Sequence, residues 1–141
     1  KLDFQEIIVA GTNKKLYNSL KKKIRKCKKR ILLFSFVDNI NELMDVADII
    51  ITKPGGITTA EALIKGIPMI IVKPIPGQEE NNSRYLTEKG VAIKIDKPKE
   101  INSAIENLLA NPAQLNAMRE ATKTIARPQA SMDTAKLILK L

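Results

Sequence analysis

Five short runs rich in apolar residues, Glu6 to Ala10, Ile31 to Val37, Asp48 to Thr52, Met69 to Val72 and Val91 to Ile95, recur with a helix-length stretch between neighbours. Strands joined through single helices pair in parallel, because the chain must cross the sheet to return, and such crossovers are right-handed. The third run carries Ile49, Ile50 and Ile51 without alternation, the sign of a strand buried on both faces. The spacing therefore predicts an α/β fold, a Rossmann-like open parallel sheet flanked by helices. The intervening helices are expected through the basic run after the first strand, over Asn39 to Val46 with Asn39 or Asn41 as caps, over Thr59 to Lys65, and over Asn82 to Lys89. From Pro98 onward helices are punctuated by Asn111-Pro112 and Arg127-Pro128. With 141 residues the chain reads as one domain, 1–141.

What the chain lacks narrows its chemistry. There is no histidine, so no Ser-His-Asp triad, histidine base or histidine-bound metal can be assembled from it, and no catalytic residue is assigned here. Cys27 is the single cysteine, which forbids an internal disulfide and favours a reducing, cytoplasmic setting. No apolar stretch is long enough to cross a bilayer as a helix. The chain begins at Lys1 without Met and enters a strand almost at once, as the C-terminal piece of a longer protein would.

The charge is uneven. Of 24 basic residues, ten lie between Lys14 and Arg30 with no acidic residue among them, which accounts for the net charge of +9. Leu16, Leu20, Ile24 and Cys27 recur through this run at helical spacing, predicting an amphipathic helix with a lysine-covered outer face. Such a face is either simply solvated or drawn to an anionic surface. Among aromatic residues only Tyr17 interleaves with the lysines, which argues against base stacking and nucleic acid.

In open parallel sheets ligands bind beyond the carboxyl ends of the strands. After the third strand comes Lys53-Pro54-Gly55-Gly56-Ile57-Thr58, then a helix. The glycines Gly55 and Gly56 allow backbone to approach a ligand closely, and the free amides of a first helical turn suit a phosphate. An alternative needs no ligand: Thr58 with Glu61 three residues on matches a capping box. After the fourth strand comes Lys73-Pro74-Ile75-Pro76-Gly77-Gln78-Glu79-Glu80-Asn81-Asn82, where prolines hold amides and carboxylates able to read several hydroxyls, as a sugar requires. The alternative is a plain surface loop with a polar helix start.

The run Ala47 to Thr58, then Glu61-Ala62-Leu63, Ile67-Pro68 and Ile75 to Asn82, resembles the donor-binding half of the glycolipid glycosyltransferases. That family includes bacterial processive diacylglycerol glucosyltransferases, plant monogalactosyldiacylglycerol synthases and the bacterial lipid II N-acetylglucosaminyltransferases. The resemblance implies the C-terminal half of a GT-B fold, with a lipid acceptor held by an N-terminal domain that also carries the activating base. It implies that backbone at Phe36 and Val37 pairs with a uracil edge and that backbone at Ile57 and Thr58 meets the diphosphate. It further implies that Glu61 accepts from the ribose and that Gln78, Glu79 and Asn82 face the sugar. Ser35 departs from the glycine often found there.

The expectation is therefore a UDP-sugar-binding domain of a hexosyltransferase that passes glucose from UDP-glucose to a diacylglycerol-type lipid. It uses no cofactor beyond that substrate and no metal, there being no Asp-x-Asp motif. The expected setting is cytoplasmic, peripheral at the inner face of the cell membrane, with an anionic membrane surface as partner. Rival readings are a sugar-nucleotide epimerase or a soluble-acceptor transferase of the same fold, and a basic module that binds membrane or nucleic acid without catalysis.

Overall fold

A computed structural model describes residues 4–140. The elements run β1 (Gln5–Val9), α1 (Lys14–Ile24), β2 (Arg30–Phe34), α2 (Ile40–Asp45), β3 (Ile50–Thr52), α3 (Gly56–Ile64), β4 (Met69–Val72), α4 (Gln78–Glu88), β5 (Ala92–Ile95), then α5 (Ile101–Ala110), α6 (Pro112–Ile125) and α7 (Ala130–Ile138). A single 3₁₀ turn, Pro98–Glu100, leads into α5. The chain forms two compact units, one ending at Val46 and the other beginning at Ala47. Among the described residues no helix is long and apolar enough to cross a membrane.

All strand pairs are parallel, as the crossover spacing requires, but they form a two-stranded sheet, β1-β2, and a three-stranded sheet, β3-β4-β5. In the first unit β2 ends at Phe34, opposite Val9, because its partner turns away at Gly11, whose φ of 60° is in the left-handed region. Phe36 and Val37, expected to end that strand, therefore lie past it. Asn13 caps α1 by accepting from the Leu16 amide at 2.9 Å. The helix stops at Ile24, short of the predicted stripe: like charges one turn apart, Lys21 with Arg25 and Lys22 with Lys26, oppose its continuation. Cys27 is exposed beyond it, Leu16 is exposed, and only Met44 in the described part of this unit is buried.

The second unit holds the core. Met69, Ile70 and Ile71 of β4 are fully buried, enclosed with Ala62, Ile67, Leu86, Val91, Leu108 and Met118. The strand buried on both faces is thus β4, the centre of its sheet, and not the isoleucine run: β3 is an edge strand and Ile51 is 42% exposed. β3 is also shorter than expected, since its ladder starts where Pro68, which cannot donate, gives way to Met69; the Ile50 amide donates to the Pro68 carbonyl at 3.0 Å.

Candidate functional site

The carboxyl ends of β3 and β4 lie side by side, and each leads through a proline-containing loop into a helix. Pro54 is buried; Gly55 then takes an extended conformation (φ −68°, ψ 144°) as N-cap of α3. Gly56, Ile57 and Thr58 form the first turn, and the first helical bond runs from the Thr59 amide to the Gly55 carbonyl at 3.0 Å. No side chain caps this helix, so these three amides have no partner among the described residues. The turn is held from behind, where the buried Thr59 hydroxyl donates to the carbonyls of Gly55 (2.9 Å) and Gly56 (3.0 Å).

This start overturns the capping-box alternative. Thr58 lies in the third helical position and not at the N-cap, so it and Glu61 cannot exchange the two bonds that motif requires. Glu61 stands one turn beyond Ile57 and Thr58 on the same face, half-buried, and helical side chains lean toward the N-terminus. Glu61 thus occupies the helix face that begins with the free amides.

Neither glycine is explained by the fold. Gly55 and Gly56 lack the positive φ seen at Gly11, Gly66, Gly77 and Gly90, and a Cβ added to either would meet no atom within 4 Å. Ile57 beside them is 79% exposed. The start of α3 is an open backbone surface with positive dipole potential and, among the described residues, three unspent donors.

After β4 the loop is shorter than expected. Gly77, with φ 97°, turns the chain so that α4 begins at Gln78, placing Gln78 and Glu79 in a first helical turn and not in a loop. Glu79 and Glu80 there complement the helix dipole. One Glu79 carboxylate oxygen accepts from the Ile75 amide at 2.7 Å, clamping the loop. Asn82 Nδ2 donates to the Pro54 carbonyl at 2.9 Å, tying α4 to the loop before α3. Gln78 is exposed. Lys73 has φ 42°, strained for a residue with a side chain, and lines a cavity of about 240 Å³ with Val72, Ile95, Asp96 and Lys97 at the ends of β4 and β5. Sequence reasoning missed Lys73, Thr59 and the Asn82 bond; only Thr59, a hydroxyl in a first turn, carried a signal.

The structure thus brings Gly55, Gly56, Ile57, Thr58, Glu61, Gln78, Glu79 and Asn82 onto adjoining elements of one unit. Phe36, 67% exposed, and Val37, half-buried, belong to the other unit, in the bend after β2. Among the described residues no group of three cysteine or carboxylate side chains is gathered as a metal site.

The profile of the glycosyltransferase family 28 C-terminal domain matches residues 1–134. Similar curated proteins include a processive diacylglycerol beta-glucosyltransferase of Bacillus cereus strain AH187, 40% identical over 127 residues, 90% of this chain and 33% of that protein. Another of that name, from Bacillus thuringiensis strain Al Hakam, is 38% identical over 138 residues, 98% of this chain and 36% of that protein. The chain spans about a third of the length of these relatives. Among solved structures, MurG of Acinetobacter baumannii superposes with a TM-score of 0.73 at 19% identity, covering 100% of this chain and 51% of that one. A Streptomyces glycosyltransferase solved with thymidine diphosphate gives 0.62 at 15% identity, covering 100% of this chain and 42% of that one. At such identities the likeness establishes the fold: α/β, of the type found in GT-B glycosyltransferases.

Proposed function

The chain belongs to the glycosyltransferase family 28 C-terminal domain family, and on that premise we propose that it binds the UDP-sugar donor of a hexosyltransferase. The donor in this reading is UDP-glucose and the acceptor a diacylglycerol-type lipid, after the name carried by the similar Bacillus proteins. The observation that carries the reading is the pair of glycines at the start of α3, which neither backbone conformation nor packing requires and which leave three amides unspent.

In this reading the diphosphate sits on the amides of Gly56, Ile57 and Thr58, and Glu61 accepts from the ribose. Gln78 and the free side of Glu79 face the hexose. An acceptor hydroxyl attacks the anomeric carbon as the bond to UDP breaks, and donors already aimed at the diphosphate stabilise the charge that develops on it. Because UDP-glucose is α-linked, a β-glucoside product means inversion, hence one direct displacement. The base and the acceptor site are assigned to protein outside residues 1–141. The dipole and amides of α3 supply the positive potential, so the reading calls for neither metal nor cofactor. It sets the enzyme in the cytoplasm, peripheral at the inner face of the membrane, with the exposed lysines around α1 as a contact to anionic lipid.

Gly56→Ala tests the seat. An alanine at the first helical position should leave stability unchanged or raise it by up to about 1 kcal/mol. UDP affinity measured by calorimetry should nevertheless fall, because the methyl group occupies the approach to the amides. Parent-like UDP affinity in this variant would reject the seat.

A further inference from the structure

The Asn82 side chain is committed to the protein's own backbone. Its Nδ2 donates to the Pro54 carbonyl at 2.9 Å across 28 positions of sequence, in a partly buried setting. A carbonyl only accepts, so the partner dictates which end of the amide faces it. Pro54 immediately precedes Gly55, the N-cap of α3, and its ring is buried, so the carbonyl Asn82 grips is part of the turn that aims the first helical amides. On the other side, α4 is fastened to its own loop through Glu79 and the Ile75 amide at 2.7 Å. Lys73 and Gly77, both at positive φ, bracket that loop, and at Lys73, which carries a side chain, that conformation is maintained against backbone strain. Asn82 is the only described side chain whose hydrogen bond joins α4 to the loop before α3.

We infer that Asn82 is a positioning residue for the diphosphate seat, fixing the direction of the Gly56, Ile57 and Thr58 amides through Pro54, and not a reader of the sugar. The inference rests on the reading of the α3 start as that seat. It reassigns Asn82 from the hexose to the nucleotide end of the donor, and it makes the two loops one mechanical unit. Loss of the bond lets the Pro54 turn relax, which blunts diphosphate binding whatever the sugar.

The test uses the full chain as Asn82→Ala, Asn82→Asp and, for contrast, Gln78→Ala. Asn82→Asp keeps the shape but sets a second acceptor against the Pro54 carbonyl, so a role confined to packing would spare it. Both Asn82 variants should lose UDP affinity by about three- to tenfold, the scale of one hydrogen bond. The loss should be equal for UDP-glucose and smaller for UMP. Without nucleotide, amide hydrogen exchange at Thr59 and Ala60 should quicken in both Asn82 variants and not in Gln78→Ala. Intact UDP affinity with weakened UDP-glucose would overturn the inference in favour of a sugar reader. If the parent binds no UDP, the seat itself fails, and exchange still decides the clamp: unchanged protection in both Asn82 variants overturns it.

Discussion

Single residues at the site divide into those the sequence exposes and those only contacts expose. The Gly55-Gly56 pair is legible, because glycines at a strand-to-helix junction have few explanations and the structure removes the conformational ones. Glu61 is legible as a functional carboxylate but ambiguous in role, since Thr58-x-x-Glu61 satisfies a capping pattern; what decides is where the helix starts, and the bond from the Thr59 amide to the Gly55 carbonyl places that start at Gly56. The Asn82 bond to Pro54 joins residues 28 positions apart and has no sequence signature. Because Glu61 caps nothing, Glu61→Ala should change stability by no more than about 0.5 kcal/mol. Its UDP affinity should fall by about 1.5–3 kcal/mol, the range for a hydrogen bond to a charged group. Thermal melting and calorimetry on the same preparations separate the two effects, and equal UDP affinity in variant and parent rejects the ribose role.

Element limits are legible in the sequence where punctuation is strong and not where charge or pairing sets the end. β4 falls on its predicted limits, between Pro68 and Pro74. Gln78 and Glu79 read as loop because Gly77 follows two prolines, whereas at φ 97° it is the hinge that starts α4. The predicted α1 is longer than the helix that forms, because hydrophobic period alone takes no account of repulsion among lysines. Its shortening changes which cations remain available: Lys29 pairs with Glu6 at 2.9 Å and lies 4.9 Å from the Phe4 ring, while Lys15, Lys21, Lys22 and Lys26 are exposed. Each basic residue near an anionic bilayer contributes about 1 kcal/mol, so those four suffice for weak, salt-sensitive adsorption. Replacing them by Gln should reduce sedimentation with phosphatidylglycerol vesicles at low salt and leave UDP affinity unchanged. Unchanged sedimentation would make this a solvated face.

At the scale of the whole molecule, the α/β class and the parallel pairing follow from five strand-length runs at crossover spacing, and both are present. The division of the strands between two sheets is not legible in the sequence, because a run such as Ile49-Ile50-Ile51 reads alike at the centre of a sheet and at its edge. Burial is similarly uneven: the described core lies almost wholly after Ala47, whereas the basic excess lies before it. Donor binding should accordingly be a property of residues 1–141 themselves, since the residues assigned to the diphosphate and ribose lie within them. The most direct measurement is a calorimetric titration of the full chain with UDP and with UMP, paired with thermal unfolding at millimolar nucleotide. The account predicts saturable heat with UDP, weaker binding of UMP for want of the second phosphate, and a rise in melting temperature that follows UDP concentration. Absence of both heat and thermal protection at millimolar UDP, or UMP binding as tight as UDP, would contradict it.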